Sequence, residues 1–519
     1  MNAVRIVYHL ARADFLERVR RYSFLIMLGL GAFLGYQVAV GNVALRLDIY
    51  RGEFNSAWVG SMMALIGSFF LGWFGFYLVK GSIARDRETG VGQIMAATPL
   101  TRPLYTFGKW ASNFSVLMAM ILVLAVASIG IQFLAGENTH LDLLALLAPF
   151  LFVTMPVMAL VAAIAVLFES IGFLSGGFGN VLYFFLFFML FPFIDKLSAI
   201  NPALEPLGLG LFQQSMGAAA KAAFPEYNGG FVLGDPATTS SIFQWTGVHW
   251  TSDIILMRLA LFGIAIALTL IASVFFDRFD ASRRRPATKP TKKNASQTKP
   301  EPAPITKADP AVQLTPLKAS TGQFGFVRVL VSELKLLIKG QPWWWYAVAG
   351  GLFIAGLANP FETSRTYLLP FTWLWPVLIW SSLGNRAIQH NAQQMVFSSA
   401  APLWRQLPAS WLAGFLVTLL TGGGVALRLM SAGNSAGLLI WISAALFIPS
   451  FALASGVWSQ GNKLFEVLYV TMWYLGPMNK IAALDFMGAC TDGYPLVYLG
   501  AAFMLVVLAF AGRARQLQN

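Results

Sequence analysis

The chain has 519 residues, 57% hydrophobic and 11% charged, whereas soluble domains carry about 25% charged residues. That balance excludes an ordinary cytosolic globular protein and points to the bilayer. The net charge of +13 reads as Lys and Arg held on the cytoplasmic side, not as a nucleic-acid footprint, and one cysteine, Cys490, with scattered His9, His140, His249 and His390 supplies neither a disulfide framework nor a metal site.

The chain opens with a charged amphipathic segment, Val4 to Arg21. No short apolar core with a small-residue cleavage site follows, so no signal peptide is expected. A spanning helix needs about 20 apolar residues. Such segments lie near 22–42, 57–80, 111–135, 142–168, 179–195 and 252–276. A second set lies near 343–358, 368–384, 410–430, 436–457, 464–482 and 494–511. The predicted fold is all-α and polytopic, with about twelve transmembrane helices, since backbone inside lipid must satisfy its own hydrogen bonds. Placing both termini inside puts most Lys and Arg in cytoplasmic stretches, which sets the orientation.

Three regions follow from this spacing: a first six-span half (1–276), a linker (277–325) and a second six-span half (326–519). The linker turns to Lys, Pro, Thr, Ser and Ala, too poor in large apolar residues to pack, and is expected to be a disordered cytoplasmic tether. Its basic run, Arg283 to Arg285 with Lys292 and Lys293, sets topology. The long outer segment 197–251 suits short interfacial or re-entrant helices better than a domain.

Three anchors relate the halves. Val4, Val7, Tyr8, Ala11 and Phe15 lie on one helical face, as do Val327, Leu330, Val331, Leu334 and Ile338. Arg5 and Arg12 match Arg328 and Lys335, which suits a helix lying in the interface. AATPLTR (Ala96 to Arg102) faces SAAPLWR (Ser399 to Arg405), so Pro99, Leu100 and Arg102 align with Pro402, Leu403 and Arg405. Finally, Pro156 and Pro192 correspond to Pro449 and Pro477. An even number of crossings per half makes these parallel repeats, related by an axis along the membrane normal.

Charged side chains within spans are expensive. Arg258 is the clearest case and is expected at an interface or a transport pathway: snorkelling outward, pairing with Asp253, or meeting substrate. Glu169 and Glu466 fall at span ends, where an interface position costs little. Trp343, Trp344, Trp345 and Tyr346 suit an aromatic belt.

After the second span, KGSIARDRETGVGQIMAATPLTRPLYTFGKW resembles the cytoplasmic segment of ABC-2 type exporter permeases. The elbow helix, the six spans per half and the long outer loop between the fifth and sixth spans agree with it, over nearly all the chain except 277–325. The resemblance implies that Arg85, Asp86, Arg87, Glu88, Gly90 and the Thr98-Pro99-Leu100 turn form a coupling surface for an ATPase. Arg102 and the second-half Pro402, Leu403 and Arg405 join that surface through the repeat. Physically, charges on a short helix give a docking face, and Pro99 and Pro103 fix its ends. The second half departs, carrying Gln389, His390, Asn391 and Gln393 in place of the charged cluster.

The chain has no GxxxxGKS or GxxxxGKT phosphate loop. It is therefore read as a non-enzyme without catalytic, cofactor or metal residues. ATP and Mg would be bound by a separate ATPase subunit, two copies per chain, and the complex would sit in a bacterial inner membrane. The alternative is a secondary transporter of the major facilitator type, which also has twelve spans in two parallel halves. Its GxxxDRxGRR loop fits poorly, because the glycine here is displaced and no basic pair follows.

Overall fold

In the computed structural model, residues 3–39, 45–138, 140–203, 205–230, 232–233, 241–279, 325–339, 341–399, 401–490 and 493–518 are described. Most of the expected linker, 280–324, lies outside them.

Among the described residues, eight helices are long and apolar enough to cross a membrane: Ser56–Glu88, Arg102–Leu134, Leu143–Ser170, Gly177–Ile194, Ser252–Phe275, Pro402–Ser431, Ser435–Ser459 and Pro495–Gln518. Two shorter apolar helices, Phe24–Val38 and Trp343–Ala358, match the first expected span of each set. The chain is thus a helical, multi-pass membrane protein.

Two expected spans are not single long helices. Residues 368–384 break into Leu369–Leu374 and Val377–Trp380. Residues 464–482 run as Lys463–Trp473 and then widen into a π turn, Tyr474–Met478. Proline is the physical reason, since Pro376 and Pro477 each remove a helical N–H donor and crowd the preceding turn. Ser56–Val79, without a proline, is continuous.

Burial orders the bundle. The Ser56–Glu88 span has 83% of its apolar window buried inside the protein, whereas Ser252–Phe275 and Pro495–Gln518 have 22% each. The first is a central helix and the other two face lipid. In lipid there is little hydrophobic drive between helices, so close backbone packing does the work. A Cβ on Gly60 would sit 2.3 Å from the Leu146 carbonyl oxygen, and one on Gly456 1.9 Å from that of Leu383.

The two helix sets meet where Gly177–Met189 packs on Lys463–Trp473 and the π turn after it. Ring centroids of Phe185 and Trp473 lie 5.9 Å apart, and those of Phe188 and Tyr474 4.6 Å. At the end of this seam nearest the amphipathic helices, the elbow end, Asn180 Nδ2 donates to Glu466 at 2.5 Å. Lys463 Nζ donates to the Tyr77 carbonyl at 3.2 Å and also to that of Lys80.

At the opposite end, residues 197–251 fold back as a cap. It contains the helix Leu209–Ala223. It also contains a feature not expected from the sequence, short strand pairings with the loop after the first span. Tyr50 to Gly52 pair in parallel with Ser241 to Phe243, and Leu45 and Arg46 pair antiparallel with Leu233 and Val232. Arg51 grips Glu137 through two bonds of 2.8 and 2.5 Å.

Candidate functional site

The segment after the second span turns at Gly81, whose φ of +114° favours glycine. It then forms two short helices, Ser82–Glu88 and Val91–Ala96, separated by Gly90 at φ +75°. The third span begins at Arg102 with proline in its first turn, where a missing N–H costs nothing.

Glu169 holds the first short helix in place. Its carboxylate, 2% exposed, accepts the backbone N–H of Gly81, Ser82, Ile83 and Ala84 at 2.5, 3.1, 2.5 and 3.3 Å. These are the free amides of a helix start, and a carboxylate there is held by both hydrogen bonds and the helix dipole. Glu169 therefore does not occupy an inexpensive interface position. It is a buried clamp between the fourth span and the segment after the second.

The charged cluster is mostly turned inward, against the expected docking role. Asp86 is buried, accepts the Tyr105 hydroxyl at 2.6 Å and faces Lys109 Nζ at 2.7 Å. Lys109, 1% exposed, also meets Asp14 of the amphipathic helix Ala3–Val19 at 2.7 Å. Arg85 pairs with Glu17 of the same helix. Arg87 pairs with Asp277 at 2.6 Å. Arg18 donates to Asn113 Oδ1 at 2.6 Å, and burial pushes its guanidinium below the usual range. A salt-linked layer thus ties the amphipathic helix, the short helices and the third span into one rigid body. The amphipathic helix is bonded into the protein along one side, beyond the surface role expected of it.

What this leaves at the surface is less charged. Glu88, Thr89, Val91, Gln93, Ile94, Ala97, Thr98, Pro99 and Arg102 are exposed, Ile94 at 70%. Leu100 and Gly90 are half-buried. The Thr98 hydroxyl closes its own turn on the Met95 carbonyl at 2.7 Å.

The second set has a similar pair of short helices, Arg386–Gln389 and Gln393–Phe397, before Pro402–Ser431. Amides stand where charges stood. Asn462 Oδ1 accepts Asn385 Nδ2 and Gln389 Nε2, each at 2.6 Å. One ion pair remains, Arg386 to Glu333 at 3.5 Å, and burial lowers the Arg386 guanidinium. His390, Asn391, Gln393, Met395, Trp404 and Arg405 are exposed, Met395 and Trp404 at 75% and 71%. Pro402 and Leu403 are half-buried.

Arg258 lies elsewhere, beneath the cap. It is 1% exposed and donates to the carbonyls of Glu205 and Pro206 at 2.8 and 3.2 Å. It neither snorkels outward nor bonds Asp253, because the cap folds over it and offers oxygens closer than water. Residues that sequence reasoning missed, Asp14, Tyr105, Lys109, Asn180 and Lys463, share one signal: each is a polar group at the apolar margin of a predicted span or amphipathic helix. No family model, curated protein or solved structure matches the chain.

Proposed function

We propose that this chain is the membrane-spanning permease subunit of an ABC exporter of the ABC-2 type, with ATP hydrolysed on a separate subunit. On this reading the ten apolar helices and the two proline-broken segments make twelve spans. They form two parallel six-span repeats, fused through the linker, so that one chain engages two ATPase copies. The termini and short helices are cytoplasmic, in a bacterial inner membrane, and ATP and Mg stay on the partner. The substrate class stays open between an amphipathic or lipid-like cargo and others.

The observation that carries the reading is the paired short helices at the elbow end. Each pair is fastened to neighbouring spans by buried polar groups and exposes a mixed face centred on Ile94 or Met395. A motor moves a span only through a stiff element, and the Glu169 clamp and the Asp14–Lys109–Asp86 layer supply that stiffness. The two faces differ, since ionic bonds support the first and amides the second, which favours unequal engagement of two ATPases.

The test is affinity purification of the full chain from its native membrane in mild detergent. A Walker-motif ATPase is expected at about two copies per chain, retained through the buried layer and weakened by Ile94→Asp with Arg102→Glu on the exposed face. Recovery of the chain alone, stable and without ATP-dependent activity, would overturn the proposal in favour of a secondary transporter.

A further inference from the structure

The Ser252–Phe275 helix is among the least internally packed of the long spans, yet its elbow end is fastened firmly. Just past it the backbone passes through Arg278 at φ +52° and Phe279 at φ +63°, a region that residues with side chains seldom adopt. That turn brings three successive side chains onto the short helices. Asp277 accepts Arg87 at 2.6 Å. Arg278 donates to the carbonyls of Thr98 and Ala96 at 2.9 and 3.4 Å. The Phe279 ring occupies the notch at Gly92, where a Cβ would lie 2.6 Å from it, and meets Tyr105 edge-on at 5.4 Å.

The second set reaches the same result with other chemistry. Near the end of Pro495–Gln518, Arg513 donates to the Gly384 carbonyl at 2.7 Å, and its guanidinium lies 4.9 Å over the Phe397 ring. One turn earlier, Phe510 meets Trp404 at 5.4 Å. Two lipid-facing helices with unrelated sequences at their ends thus grip the two short-helix pairs.

We infer that the elbow ends of these two helices are clasps through which movement of the short helices reaches the lipid-facing spans. Asp277, Arg278, Phe279 and Arg513 are its positioning residues. The inference rests on the coupling-surface reading for its source of movement, although the clasp itself is defined by contacts within the chain. Without the clasp, a tilt of Val91–Ala96 would pass only to the inner spans bonded to Glu169 and Lys109. With it, the Ser252–Phe275 helix must follow.

Hydrogen exchange on the full-length chain tests this in two arms. In the first, without nucleotide, Phe279→Ala or Asp277→Ala should speed exchange of amides 91–98 by about tenfold while sparing 393–397, and Arg513→Ala should do the reverse. The swap Asp277→Arg with Arg87→Asp should restore protection, which a mere packing defect would not. Unchanged exchange in every variant overturns the clasp. In the second arm, the chain bound to its ATPase receives ATP. The wild type should change exchange at both 91–98 and 270–279, and Phe279→Ala only at 91–98. A response at 270–279 that survives in Phe279→Ala overturns the transmission. If no ATPase co-purifies, the function reading falls and the transmission with it, and the first arm alone decides the clasp.

Discussion

Glu169 ends an apolar span in the sequence, and in the structure it closes the first turn of a different helix. Lys109 is similar, a lone cation in an aromatic stretch that becomes the shared partner of Asp14 and Asp86. Removing one member of a buried ionic group costs far more than the group contributes as a whole, because the remaining charges stay desolvated and unpaired. Lys109→Met should therefore cost about 3–5 kcal/mol, read as a lowered midpoint in detergent unfolding. Adding Asp14→Asn and Asp86→Asn to Lys109→Met should recover most of that loss, since no unpaired charge is then left. If the single variant unfolds like the wild type, the layer is solvated and stiffens nothing.

At the scale of elements, the helices follow from apolar runs, and their interruptions follow from proline and glycine. Pro376 and Pro477 break two expected spans, which the run of apolar residues alone would have joined. Close approach is as decisive as continuity. The Ser435–Ser459 helix passes Leu383 at Gly456 with room for a hydrogen only, and the obstacle is a backbone carbonyl that cannot rotate away. Gly456→Leu should cost about 1–3 kcal/mol by overpacking, lowering the yield of monodisperse protein. Leu at Gly433, where nothing lies within 4 Å but φ is +65°, should be milder. Equal behaviour of the two variants in size-exclusion profiles would mean that the helix pair is looser than its geometry implies.

For the whole molecule, the question is what joins the two helix sets besides the covalent linker. The seam between Gly177–Met189 and Lys463–Trp473 combines aromatic packing with Lys463 on carbonyls at the end of the central span and Glu466 on Asn180. A protease site placed within 281–324 and cut after purification should leave the two fragments associated in mild detergent. Lys463→Ala with Glu466→Ala should release them at least partly, and fragments that separate in the parent protein would deny the seam any holding strength. The sequence by itself determined the membrane class, the positions of ten apolar helices and the presence of an amphipathic helix ahead of each set, because apolar length and helical periodicity are local properties. It also located the short segment before Pro99, since turn chemistry is local too. Only the tertiary structure decided that Asp86 and Arg87 turn inward, that Glu169 clamps a helix start and that Arg258 lies under a cap. Each of these depends on which oxygen or cation a distant part of the chain brings within 3 Å or so, and spacing along the chain carries no record of that.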